Sequence, residues 1–89
     1  MRFEWDRAKA EGNRRRHRVT FDEAASIFFD PLSVTIADPD HSAGEGRFLT
    51  MGNSSKGRVL VVAHTERGDV LRIISARPAS AAERKRYET

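Results

Sequence analysis

Near the C-terminal end of this sequence, side chains able to do chemistry cluster around one polar turn. His64 and Glu66 stand two apart, Arg67-Gly68-Asp69 follows, and Arg72 and Arg77 come next. An imidazole titrates near neutral pH, a carboxylate can take or hold a proton, and a guanidinium can place two donors on phosphoryl oxygens. That combination suits cleavage of an RNA phosphodiester. A base takes the 2′-hydroxyl proton, an acid protonates the leaving 5′-oxygen, and arginine stabilises the charge developing on phosphorus. RNA supplies its own nucleophile, so neither metal nor cofactor is required. Within this reading His64, Glu66 and Arg72 are the first catalytic candidates, with Arg77 and Tyr87 orienting RNA. Lys56, Arg58, Arg67 and Arg84 supply positive charge for binding it. The competing reading is structural: Glu66–Arg67 or Asp69–Arg72 surface ion pairs beside an exposed histidine, since charged groups at strand ends are common.

The elements that must position these groups are two apolar, β-branched strands within Gly57–Arg77. Val59–Ala63 and Val70–Ser75 are near-continuous apolar runs, which predicts two mid-sheet strands covered on both faces. Titratable groups at the ends of buried strands cost free energy unless paired or solvated. His64 and Glu66 point to one face of their strand, but the partner strand depends on the turn. A three-residue loop sets Arg72 opposite His64. A two- or four-residue loop moves Arg72 to the other face and brings Arg77 to the His64 side. The sequence leaves both open.

Taken in order, Phe3-Glu4-Trp5 alternates as a short edge strand, and Asp6 is an N-cap candidate. Arg7–His17 has few apolar residues and is weakened further by Gly12, so it reads as a surface helix with Lys9, Asn13 and His17 in one row. Thr20-Phe21-Asp22-Glu23 forms a capping box, with Val19 and Ala24 as a staple. Phe21, Ala24, Ala25, Phe28 and Leu32 then mark an apolar stripe, and both phenylalanines at 28 and 29 are expected in the core. Asp30-Pro31 ends that helix. Ser33–Ala37 and Arg47–Gly52 read as strands, with a hairpin loop at Asn53–Gly57. Asp38, Asp40 and His41 would suit a metal, but turn-forming Asp and Pro explain that loop as well. Ser80-Ala-Ala-Glu83 is a second capping box opening a short basic helix. The expected fold is α+β: one antiparallel sheet of about four strands, two N-terminal helices packed on one face and a short C-terminal helix.

Eighty-nine residues without cysteine make one domain, 1–89, with no disulfide framework and no thiolate zinc site. The absence of a long apolar run or signal peptide makes a soluble cytoplasmic protein the default expectation. Net charge is only +3, yet residues 1–18 carry seven Lys/Arg against three Asp/Glu, and the tail from Arg77 carries four against two. Basic ends around a more acidic middle suit a polyanion or an acidic protein partner, though solvated helix faces give the same pattern.

In almost its whole length the chain resembles the BrnT family of type II toxin–antitoxin toxins. The likeness is carried by Phe3-Glu-Trp-Asp6 with Lys9, Asn13 and His17, by Val19-Thr-Phe-Asp-Glu-Ala-Ala25, and by Phe28-Phe-Asp-Pro31. It continues through Asp38-Pro-Asp-His41, Arg47-Phe48, His64-Thr-Glu-Arg67, Arg72-Ile-Ile-Ser-Ala-Arg77, and Glu83-Arg84 with Tyr87. The resemblance implies a RelE-like fold, akin to microbial ribonucleases, and a metal-free ribonuclease that blocks translation. It also implies a homodimer within a complex with a BrnA-like antitoxin, itself a ribbon-helix-helix-like DNA-binding protein. By the same resemblance His64, Glu66 and Arg72 match polar positions around the central hairpin, while Arg77 and Tyr87 match the basic and aromatic positions that follow. The family usually has glycine after the histidine that ends the first helix, where this chain has Arg18. The rival function is a non-catalytic module that binds antitoxin or RNA and acts by occlusion.

Overall fold

Alternation in the first strand decides which way the sheet faces. Residues 1–40 and 46–88 are described by a computed structural model. In β1 (Arg2–Trp5), Phe3 and Trp5 pack against the core while Arg2 and Glu4 are exposed. Then come α1 (Arg7–His17), α2 (Phe21–Ser26), β2 (Val34–Ala37), β3 (Arg47–Asn53), β4 (Val59–Arg67), β5 (Val70–Pro78) and α3 (Ala81–Glu88). The strands form one sheet in the order β1-β5-β4-β3-β2. It therefore has five strands rather than about four, and it is mixed. β1 joins β5 in parallel, Arg2–Trp5 lying beside Val70–Ile73, while the other pairs are antiparallel. Local alternation identifies a strand but cannot name a partner that lies almost the whole chain away.

Val19, Phe21, Ala24 and Ile27 meet Leu60, Val62, Leu71, Ile73 and Ala76 in one buried cluster. Central β4 is buried on both faces, with Val61 and Ala63 covered on the side away from this cluster. β5 is not: Arg72, Ser75 and Arg77 are exposed along its outer face.

Thr20 caps α2, its hydroxyl accepting from the Glu23 N–H at 3.1 Å. The expected reciprocal half is replaced, because the Glu23 carboxylate turns to Ser54 and Arg58. After Ser26 the chain tightens into a 3₁₀ turn, Ile27–Phe29, with three residues per turn instead of 3.6. That change of period moves the stripe. Ile27 is fully buried, Phe28 is half-buried, and Phe29 and Leu32 are exposed at 77% and 72%. The expectation of Phe29 and Leu32 as core is thereby corrected.

α1 has little apolar surface to bury, and Asn13 ties it down instead. Its Nδ2 donates to the carbonyls of Val19 and Ala76 at 3.0 and 2.9 Å, and its Oδ1 accepts from the Ala76 N–H at 3.0 Å. An amide side chain thus satisfies the edge of β5 just beyond the point where β1 stops pairing. The row expected on the surface has a buried middle. Arg18 ends the helix in the left-handed region, φ 57° and ψ 36°, with its N–H on the Arg14 carbonyl at 2.9 Å. An arginine therefore adopts the geometry usually left to glycine.

Candidate active site

The central hairpin turns at Gly68-Asp69, with Gly68 at φ 59° and Arg67 paired to Val70. This two-residue turn sets Thr65 opposite Arg72 and His64 opposite Ile73. Arg72 therefore lies on the face away from His64. A regular ladder from the same turn would carry Arg77 to the His64 side. A bulge between Ala63 and His64 prevents that, and the ladder resumes as Ala63–Ser75 and Val61–Arg77. One extra residue in β5 restores parity, so Arg72, Ser75 and Arg77 share the open face. Neither register considered from sequence included a bulge, and the expected grouping of His64 with an arginine does not form.

His64 is an interior residue. It is 1% exposed, with Phe28 edge-on at 5.0 Å and Phe48 stacked at 5.9 Å. Nε2 lies 2.7 Å from the Thr50 hydroxyl, which is 2.7 Å from the Thr35 hydroxyl. Nδ1 makes no hydrogen bond, and Glu66 Oε2 stands 4.0 Å away. Burial pushes the imidazole pKa down to about 4, so the ring is neutral near pH 7. Glu66 itself is exposed at the end of the helix-covered face.

On the open face, Arg72 Nη1 donates to Glu4 Oε1 at 3.2 Å. These two, with Thr65, Arg67 and Val70, line a cleft of about 250 Å³. Glu4 and Thr65 were not among the residues expected from sequence. The signal for Glu4 was present, since the alternation that turns Phe3 and Trp5 inward turns Glu4 outward.

The remaining candidates serve other contacts. Arg77 grips Glu83 through two hydrogen bonds of 2.7 and 2.9 Å. Glu83 also closes the second capping box, accepting from the Ser80 N–H at 2.8 Å, and these partners, Arg77 foremost, hold its carboxyl down to about 2. Arg58 binds both oxygens of buried Glu23 at 2.8 and 2.7 Å and donates to the Arg18 carbonyl. Its guanidinium thus offsets a buried charge, a structural role beside the RNA contact expected of it. Tyr87 donates to Asp30, whose carboxyl is held low first by that bond and then by the Asn53 and Leu32 amides. Tyr87, Arg84 and Arg58 line a second cavity of about 660 Å³ beside Asp30, Asn53 and Pro78. Lys56 is exposed on the β3–β4 loop, and Arg67 is exposed at the end of β4. Asp38 is buried and accepts from the Asp40 N–H at 3.0 Å, the turn geometry of an Asx motif, while His41 lies outside the described residues.

Among the described residues, no helix is long and apolar enough to cross a membrane. Comparison with curated proteins gives no match. The 1.1 Å crystal structure of the Brucella abortus ribonuclease toxin BrnT is similar in fold, with a TM-score of 0.71 and 20% identity over 90% of this chain and 97% of that one. The family model described as the ribonuclease toxin BrnT of type II toxin–antitoxin systems matches residues 5–83. That span takes in β2 to β5, the last residue of β1, both N-terminal helices and the arginines of the open face, and the chain belongs to the BrnT family of ribonuclease toxins.

Proposed function

We propose that this chain is a metal-independent endoribonuclease that blocks translation in the cytoplasm, and that its chemistry takes place on the open face of the sheet. The observation that carries this reading is the Glu4–Arg72 pair in a cleft with Thr65 and Arg67. Arg72 would hold the phosphoryl oxygens and stabilise the charge that develops there. His64 is closed off from solvent, so the proton-transfer role passes to Glu4. Its carboxylate takes the 2′-hydroxyl proton, the 2′-oxygen attacks phosphorus, and the 5′-oxygen leaves with a proton from solvent in the cleft. The products are a 2′,3′-cyclic phosphate and a 5′-hydroxyl. Arg77 orients RNA from the same face, Tyr87 and Arg84 from the cavity at α3, and Lys56 and Arg67 add attraction. Glu66 and His64 support this arrangement from the other face.

A BrnA-like antitoxin neutralises the toxin, with two toxin copies in the complex. Exposed Val34 and Ile36 on terminal strand β2 support such association. A second reading, inhibition by occlusion without cleavage, is favoured by one observation: His64 is buried on the face away from Arg72. RNA incubated with purified protein in EDTA separates the two. Fragments with cyclic phosphate and 5′-hydroxyl ends, lost in Arg72→Ala, support cleavage. RNA that is bound and left intact supports occlusion.

A further inference from the structure

α1 is unusual in what it turns toward β5. Lys9, Gly12, Asn13 and Arg16 follow i, i+3, i+4, i+7 spacing and so share one face, with no apolar side chain among them. With Ala8, Ile74 and Ser75 they line a groove of about 420 Å³. Asn13 is spent on the fold, as described above. Gly12 is not required by it. A Cβ there would meet only Arg16 Nη2, at 4.0 Å, and no positive φ demands glycine. Glycine weakens a helix interior relative to alanine, and what it gains here is close access to backbone in the groove.

The charges divide in the same way. Arg14 and Arg15 are paired to Glu11 on the far side of the helix. Among the described residues no ion pair is found for Lys9 or Arg16. The groove also joins the arginine face, because the bulge that returns Arg77 to that face sets Ser75 beside Ala63 upon it. A concave site with a guanidinium, an ammonium, a hydroxyl and a bare helix backbone fits a phosphodiester better than it fits a folded protein surface.

We infer that the α1–β5 groove of Lys9, Gly12, Arg16 and Ser75 is a second RNA-backbone site, holding a phosphate of the strand whose neighbouring nucleotides lie on the Arg72 face. This inference rests on the ribonuclease reading for the identity of the strand, but its test reads binding separately from cleavage. The probe is a single-stranded 2′-O-methyl RNA, which lacks the nucleophile, titrated by fluorescence anisotropy against the full chain at several salt concentrations. Lys9→Gln with Arg16→Gln should weaken binding about tenfold or more and lower the salt slope by about 0.7 for each phosphate no longer neutralised. Gly12→Glu replaces glycine with a better helix former and puts a carboxylate in the groove, so an unchanged or raised melting temperature should accompany the same weakening. Single-turnover cleavage at saturating RNA should stay within a few-fold of the parent in both. Unchanged affinity and salt slope in folded variants overturn the inference. So does failure to bind antitoxin with RNA binding intact, which would assign the groove to a protein. If the parent binds the probe through this groove but cuts no RNA, the ribonuclease reading fails while the groove stands.

Discussion

A histidine wedged between two phenylalanines, with one ring nitrogen on a threonine and the other unpaired, has exchanged reactivity for burial. Its pH dependence follows from that exchange. The unfolded imidazole takes a proton near 6.5, whereas the folded one resists until about 4. The unfolded state therefore binds more protons in this window, and stability falls as pH drops through it, by about 3 kcal/mol in all. Urea midpoints measured from pH 7 to 4 should show that fall, and His64→Gln should flatten it. Arg58 makes a second case. Arg58→Ala would leave the Glu23 carboxylate, 2% exposed, with the Ser54 hydrogen bond but no guanidinium on it, and should destabilise the fold by about 3–5 kcal/mol in denaturant titration. Residue type alone marks both positions in the sequence, and type is sound evidence that they matter. What sequence withholds is their direction. An arginine next to glycine in a loop reads as free charge, and only its partner 35 residues earlier shows otherwise.

Element by element, short-range chemistry is legible in the sequence and parity is not. The Thr20 cap, the Ser80–Glu83 box and the strands themselves follow from local residue types. The face of Arg77 depends on a two-residue turn and then on one bulged residue, each of which inverts the strand. Nothing in the apolar run Val70–Ser75 announces that bulge. The missing glycine at the end of α1 is a similar case, since the sequence shows the substitution but not how the backbone meets it. Arg18 holds the glycine geometry itself, so Arg18→Gly should stabilise the protein by about 0.5–1 kcal/mol, with a raised urea midpoint and an unchanged slope. The Arg58 hydrogen bond survives because it uses the backbone carbonyl. The opposite result is expected at Gly52 in β3. A Cβ there would stand 3.1 Å from Ile27 Cβ, the Ile27 carbonyl and Ser33 Cβ, so Gly52→Ala should lower the urea midpoint, destabilising by about 1–3 kcal/mol.

The whole molecule has two unlike sides. One face of the sheet is covered by Phe21 and Ala24 of α2 and Ile27 of the 3₁₀ turn, and it contains His64. The other carries Arg72, Ser75 and Arg77 with Glu4, in reach of solvent and of a nucleic-acid strand. On this division rests the proposal that RNA is cut by the arginine face without the histidine. Single-turnover cleavage of one RNA in EDTA, comparing Arg72→Ala and His64→Gln with the parent, addresses it most directly, each variant first shown to be folded and to bind uncut RNA. The expected result is a drop of about 10²–10³-fold for Arg72→Ala, from removal of a donor that stabilises developing charge, and a rate within a few-fold of the parent for His64→Gln. Near-parental cleavage by Arg72→Ala, or an equal drop in folded His64→Gln, would contradict it.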